Sequence, residues 1–271
     1  MPTFLVCPPD YYGIEYEINP WMDKSRGTIS SLAKTQWDAL YNLLTQKLSV
    51  TVQKLNPISG FPDLVFTANA GLVVGNHFFS SRFRHSVRQG ESAHYEKWFR
   101  ERHFQIHFSP ENICFEGEGD ALFVGDQLFL GYDIRTDLDA AGWLEEVLHQ
   151  SVHRLELTDP HFYHLDTCFC PLDHERVLYY PPAFSTASQE MIKRFVPKPI
   201  AIKESDALQF GANAIVIRNQ IVMNAGCADL AEILTEEGFR VHALDFSEFI
   251  KSGGSAKCLI LQIPDSELIR K

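Results

Sequence analysis

The sequence predicts an α/β protein in which five repeated units close around an axis as a propeller, strands inside and helices outside. Three observations predict it. Short apolar runs joined by two-residue polar turns recur along the chain, and each pair is followed by an amphipathic segment and one more short apolar run. The unit returns at a spacing of about 45 to 50 residues, the signature of a repeat architecture. The copies also resemble one another: FTANAGLVVGNHFFSS (Phe66 to Ser81) and FGANAIVIRNQIVMNA (Phe210 to Ala225) both read Phe-x-Ala-Asn-Ala, strand, polar dipeptide, strand.

In chain order, Ser30 to Leu48 places Leu32, Trp37, Leu40, Leu43 and Leu44 on roughly one helical face, and VTVQKL follows as a strand. The Phe66 hairpin turns on Gly-Asn. A helix over Glu91 to Arg102 and the strand FQIHF complete its unit. EGDALFVGDQLFLG (Glu118 to Gly131) turns on Gly-Asp, a strong hairpin signal like Gly-Asn, and leads to a helix over Asp137 to His149 and the strand VHRLEL. LDTCFCPLDHERVLYYP (Leu165 to Pro181) is a looser copy, followed by a helix over Ser185 to Phe195 and PIAIK. The Phe210 hairpin precedes a helix over Asp229 to Gly238 and VHAL, and a fifth hairpin begins at Cys258 with CLILQI. No Pro-, Ser- or Gly-rich linker interrupts the series, so residues 1–271 are expected to form a single catalytic domain.

Composition narrows the partners. The 271 residues are 45% apolar, enough for a large core. Lys and Arg number 24 against 35 Asp and Glu, a net charge of −11 with no basic run, which disfavours nucleic acid and anionic membrane surfaces. No apolar stretch reaches the length of a membrane span, and MPTFLVCPPD lacks the basic start of a signal peptide. Six cysteines (Cys7, Cys114, Cys168, Cys170, Cys227, Cys258) in a chain this long do not make a disulfide framework, so a reduced, cytoplasmic protein is expected.

The repeat register indicates where chemistry sits. Asn69, Asp120, Asp166, Asn213 and Cys258 each open the first strand of a hairpin, and equivalent positions of a closed array converge near its axis. Asn and Asp also serve as strand-end caps and turn residues, a reading that suits Asn213. His164 and Asp166 stand at i, i+2, one face of a strand. Glu116, Glu118 and Asp120 are separated by single glycines. Gly253 and Gly254 precede Cys258, where a glycine pair allows the backbone the close approach that a reachable nucleophile requires.

A cysteine, a histidine and several carboxylates suit covalent catalysis, in which an imidazolium lowers the thiol pKa and a carboxylate orients the ring. So many carboxylates would repel an anion and raise the thiol pKa, so they fit a cationic substrate. Guanidinium is the planar cation that carboxylates grip bidentately. Cys168 and Cys170 have no second Cys/His pair at ligand spacing, so no metal is expected.

Four segments carry a family resemblance: FTAN (Phe66 to Asn69), FEGEGD (Phe115 to Asp120), HLDT (His164 to Thr167) and GGSAKC (Gly253 to Cys258). In this order and register the chain resembles the guanidine-modifying enzymes of the pentein fold, which include arginine deiminases, dimethylarginine hydrolases and glycine amidinotransferases. The resemblance implies Cys258 as nucleophile, His164 as general acid and base, and Asp166 as the carboxylate that binds guanidinium nitrogens. It implies Glu116 as the acid that orients His164, with Glu118 as the alternative because FEGEGD is one residue longer than a deiminase-like Glu-Gly-Gly-Asp. Asp120 would support the site from behind or bind backbone. Arg135 in GYDIRTD would hold the substrate carboxylate, with Arg88 in RQGE as a second candidate. The alternative for both arginines is an exposed salt bridge. No metal or organic cofactor is implied.

Asn69, beside Phe66 in FTAN, departs from the Asp of deiminases. Asn offers a donor and an acceptor, so it can hold a neutral ureido group as well as a guanidinium. In this, and in the opening CPPDYYGIEYEINPWMD, the chain is similar to the arginine dihydrolase branch, which converts arginine to ornithine, carbon dioxide and ammonia. Asn19 in INPWM would contact substrate, or the segment would form a turn anchoring Trp21 in the core. An arginine deiminase or dimethylarginine hydrolase giving citrulline, an amidinotransferase, and a non-catalytic pentein binding module are the alternatives. The expected partner is a small guanidino compound, with the oligomeric state left open.

Overall fold

The polar dipeptides turn where the sequence predicts. A computed structural model describes residues 2–263. Strands β1 (Thr3–Val6) and β2 (Thr51–Lys54) pair in parallel. The next sheet is β3 (Gly71–Val74), β4 (His77–Ser80) and β5 (Gln105–Phe108), an antiparallel hairpin with a parallel third strand. The same pattern recurs in β6 (Ala121–Val124), β7 (Gln127–Tyr132) and β8 (Val152–Glu156). It recurs again in β9 (Phe169–Pro171), β10 (Arg176–Tyr179) and β11 (Lys198–Ala201). A further copy is β12 (Ile215–Ile217), β13 (Gln220–Asn224) and β14 (Arg240–Leu244). The final strand β15 (Leu261–Ile263) then pairs antiparallel with β1, where Phe4 faces Gln262.

The fifth unit therefore differs from its expectation. CLILQI does not begin a new hairpin downstream; its partner is the N-terminal strand, so this unit is assembled from both ends of the described chain.

Five helices connect the second and third strands of the units: α1 (Ser30–Asn42), α2 (Ser92–Arg100), α3 (Ala140–Leu148), α4 (Thr186–Phe195) and α5 (Ala228–Glu236). A parallel third strand demands such a crossover. α1 stops short of the expected Leu48, because Leu43–Lys47 wind into a π-type turn closed by Leu48 N donating to Leu43 O at 3.0 Å. Trp37, Leu40, Leu43 and Leu44 are buried there with Phe4, Val6 and Ile260. Leu32 is only half-buried, and Gln36 takes a core position by bonding Asp245 and Ser247. Each fully buried leucine contributes about 2 kcal/mol relative to exposure. α2 packs Tyr95, Trp98 and Phe99 beneath its sheet, with Phe99 stacked on Phe78 at 3.9 Å between ring centroids.

The innermost strand of every sheet contributes to one cavity of about 290 Å³, lined among others by Leu72, Leu122, Phe169, Ile215 and Ile260. Just before four of these strands the chain makes a single 3-10 turn: Thr67–Ala70, Gly117–Gly119, Leu165–Thr167 and Lys257–Leu259. These turns bring Asn69, Glu116, His164, Asp166 and Cys258 together, with His164 between Asn69 and Glu116 and Cys258 against Asp166; none of the five lines the cavity itself. His164 and Asp166 consequently do not share the face of a strand, as their spacing suggested. His164 precedes its 3-10 turn in extended conformation and Asp166 lies within it.

Candidate active site

Cys258 is buried in the Lys257–Leu259 turn. The two preceding glycines are sterically required. Gly253 has φ 84°, and a side chain there would meet Tyr163 at 2.9 Å and Asn19 at 3.0 Å. A Cβ on Gly254 would lie 2.6 Å from the Phe66 ring and 3.2 Å from Cys258 Cβ. Phe66 is thus a wall beside the cysteine, itself packed edge-on against Tyr12.

Asn213, which a strand-cap reading would leave inert, holds the cysteine directly. Its Nδ2 donates to Cys258 Sγ at 3.1 Å and to Asp166 O at 2.9 Å; its Oδ1 accepts from Cys258 N at 3.2 Å and Ser255 N at 3.0 Å. Its only sequence signal was the repeat register. Cys258 Sγ also donates to Asp166 Oδ2 at 3.4 Å, while Asp166 Oδ1 is buried without a hydrogen-bond partner. Burial, then the Asp166 charge, pushes the Cys258 thiol well above its ordinary pKa. Burial likewise raises the Asp166 carboxyl to about 7, against the opposing charge of Lys257. A bound cation would relieve both, since it favours carboxylate and thiolate together.

On the other side, His164 Nε2 lies 2.7 Å from Glu116 Oε2, and Arg135 Nη1 donates to the same oxygen at 3.1 Å. Burial alone would raise the Glu116 carboxyl, but Arg135 and the His164 contact outweigh it and hold it below the carboxylate range. Burial lowers His164 to about 4 despite Glu116. The free site therefore holds a neutral imidazole whose Nε2–H donates to an ionised Glu116, leaving Nδ1 as the lone-pair nitrogen. Glu118 turns away to accept from Lys257 Nζ at 2.9 Å. Asp120 accepts from Leu165 N at 3.1 Å and Thr136 Oγ1 at 2.6 Å, bracing the His164 segment from behind.

Asn69 Nδ2 faces His164 Nδ1 at 3.4 Å, and its Oδ1 accepts from Arg88 Nη1 at 2.9 Å. Arginine cannot accept, so this contact fixes the orientation of the amide. The sequence allowed Asn69 to act as donor and acceptor; the fold spends the acceptor on Arg88 and presents the donor. Arg88 also grips Glu91 through two donors at 2.8 and 2.9 Å and lies 3.8 Å from Asp63, whose Oδ1 is buried and unpartnered. Arg88 and Arg135 are 3% and 2% exposed, so the surface salt-bridge alternative does not describe either.

Asn19 Nδ2 donates to Ser252 O at 3.0 Å and its Oδ1 accepts from Trp21 N at 2.9 Å, tying the N-terminal loop to the turn before Gly253. Trp21 is not in the core: it is half-buried against Phe210 and donates to His161 O at 2.7 Å. Cys168 and Cys170 point their thiols at carbonyls, of Leu165 and Ala214 respectively. Three neighbours of these groups were not singled out from the sequence: Asp63 beside Arg88, Tyr163 against the Arg135 guanidinium, and Lys257 on Glu118. None lies in a repeat-equivalent polar position.

Comparison with known proteins agrees with this geometry. The family model described as "N,N dimethylarginine dimethylhydrolase, eukaryotic" matches residues 14–264. The bifunctional arginine dihydrolase/ornithine cyclodeaminase ArgZ of Synechocystis sp. is 43% identical over 266 residues, 96% of this chain, which spans only 37% of that relative's length. The N(G),N(G)-dimethylarginine dimethylaminohydrolase of Mycobacterium tuberculosis is 38% identical over 262 residues, covering 96% of this chain and 85% of its own. The crystal structure of the N-terminal domain of ArgZ bound to product superposes with a TM-score of 0.93 at 42% identity, over 97% of this chain and 98% of that one. With the match running through every segment that builds the site, the chain belongs to the dimethylarginine dimethylaminohydrolase family of guanidine-modifying enzymes.

Proposed function

We propose that the chain hydrolyses the guanidino group of L-arginine twice, giving ornithine, carbon dioxide and two ammonia, with no metal or organic cofactor. Asn69 carries the two-round reading. With Oδ1 held by Arg88, it turns its N–H donor toward the chamber, where a ureido oxygen can accept it.

In this reading Asp166 binds the guanidinium, and its unpartnered Oδ1 supplies the free acceptor. As the cation binds, the Cys258 thiol gives its proton to the neutral His164, and the resulting thiolate adds to the guanidinium carbon, forming a C–S bond. One nitrogen leaves as ammonia with a proton delivered by His164, which leaves a covalent amidino-thioether. Water then gives a proton to His164 and adds to the same carbon; the C–S bond breaks, restoring the thiolate and releasing the ureido group. A second water consumed in the second round balances arginine plus two waters against the products. Glu116 orients His164 and balances its charge when protonated. Arg135 has donors beyond those given to Glu116 and Ile18 O, and with Arg88 it holds the substrate carboxylate. Asp63 provides a counter-charge for the α-ammonium, Phe66 walls the chamber, and Asn19 closes the loop over it.

The five sheets, each lending one edge strand to a single cavity, support closure as a five-fold propeller within one domain spanning 1–271. Six free thiols suit a reducing cytoplasm. Among the described residues no helix is long and apolar enough to cross a membrane.

The family match favours a second reading, hydrolysis of dimethylated arginine to citrulline. Incubating the purified protein with L-arginine or with dimethylarginine, and quantifying citrulline, ornithine and ammonia, separates the two. Ornithine with two ammonia per arginine is expected. Citrulline as the end product, or turnover of dimethylarginine alone, overturns the two-round reading.

A further inference from the structure

We propose that Lys257 is a positioning residue for this chemistry: a resident cation, held by Glu118 beneath the chamber, that sustains the Cys258 thiolate when the bound group is uncharged. The proposal rests on the two-round reading, because the ureido group of the second round brings no positive charge of its own.

The charges in the chamber are otherwise committed. Arg135 is matched by Glu116 and Arg88 by Glu91. Asp166 has no such dedicated partner, and in the first round the substrate guanidinium serves as one. In the second round that cation is gone, yet the cysteine must again lose its proton beside a carboxylate. Lys257 is one residue from Cys258 in the same 3-10 turn. Its Nζ donates to Glu118 Oε2 at 2.9 Å, and Gln262 N donates to that same oxygen at 3.2 Å, which fixes the carboxylate from β15.

The pair borders the cavity enclosed by the five inner strands, whose other lining is largely apolar. A lysine in such surroundings ordinarily gives up its proton. Here Glu118, Asp166 and Cys258 outweigh burial and raise its pKa, so it stays charged. In a medium this poor in water a charge acts over longer distances than at a surface. The groups acting on Cys258 are Asp166 and Tyr163 from the His164 segment, the neutral amide of Asn213, the Ser255 N–H, and Lys257 with Glu118 behind it, while His164 itself is neutral in the free protein. Of these only Lys257 favours the thiolate by full charge. Glu118, which the sequence offered as an alternative partner for His164, holds that cation in place.

Lys257→Met, Lys257→Arg and the double variant Lys257→Met/Glu118→Gln test the idea. The double variant removes the Glu118 charge together with its lysine partner, so it keeps the test valid if the single variant unfolds. The first readout is the pH profile of Cys258 alkylation by iodoacetamide in the free protein, followed by mass spectrometry of the Cys258 peptide. The second is turnover with arginine and, separately, with citrulline. Loss of the lysine is expected to move the thiol pKa up by about one unit or more, a tenfold lower thiolate fraction near neutrality. Citrulline turnover should fall at least about tenfold further than the arginine-to-citrulline step, and Lys257→Arg should restore both. An unchanged alkylation profile in a folded variant, or equal losses on the two substrates, overturns the proposal. A wild-type protein that leaves citrulline untouched overturns the two-round reading and the second-round role, while the alkylation profile still reports separately whether Lys257 supports the thiolate.

Discussion

Asn213 clasps Cys258 from two sides, donating to its sulfur at 3.1 Å and accepting from its backbone N–H at 3.2 Å. One amide thus sets both the position of the turn and the direction of the thiol. The same side chain reaches Asp166 O, so Cys258 and Asp166, the proposed nucleophile and the proposed guanidinium-binding carboxylate, are indexed to each other by a residue from a third repeat unit.

Asn213→Ala should therefore damage stability and activity together. It strands the buried N–H groups of Ser255 and Cys258, each costing about 1–3 kcal/mol. A fall in Tm of several degrees is expected, with kcat lower by about tenfold or more, since a misplaced nucleophile loses its orientation advantage. Calorimetry and turnover of the same preparation check both; an intact kcat would show that the amide only shapes the turn.

Asn69→Asp is expected to shift the end product from ornithine toward citrulline. The substitution replaces the N–H donor facing His164 with an acceptor, which repels a ureido oxygen and favours a guanidinium. Product ratios at complete arginine consumption decide it. Unchanged ratios would mean that Asn69 does not govern the second round.

Arginine affinity should depend on pH through Asp166. Its carboxyl, raised by burial to about 7, is largely protonated in the free site at lower pH. A guanidinium binds the ionised form, so below that pH binding must expel a proton. The Kd for arginine should rise about tenfold per unit of acidification there and level off above it, while that of neutral citrulline changes little. Titration calorimetry on Cys258→Ser, expected to bind without turnover, gives both curves; a flat arginine curve would assign the cation to another group.

Glu116→Gln and Glu118→Gln should separate sharply. The first removes the charge facing both Arg135 and His164 and leaves a buried guanidinium uncompensated, a loss of about 3–5 kcal/mol. Turnover should drop by about 10²-fold or more, as expected when a general acid–base residue loses its orienting group. Glu118→Gln leaves the His164–Glu116 contact intact and should retain at least about tenfold more arginine turnover. Similar losses in the two variants would remove the distinction drawn from the 2.7 Å contact.

The repeat, four of the hairpins and their helices were legible in the sequence, because Gly-Asn and Gly-Asp turns and apolar periodicities are properties of neighbouring residues. The sequence also determined which residues gather, since Asn69, Asp166, Asn213 and Cys258 occupy equivalent places before the inner strands. What each one touches follows from the packing of the units against one another. Glu116 and Glu118 stand two residues apart, and in a strand they would point the same way. With Glu116 preceding the Gly117–Gly119 turn and Glu118 inside it, they diverge, one toward His164 and the other toward Lys257. The closure of β15 on β1 and the clasp of Asn213 on Cys258 join residues far apart in the chain. Such contacts depend on how whole units pack, which no local pattern of side chains records.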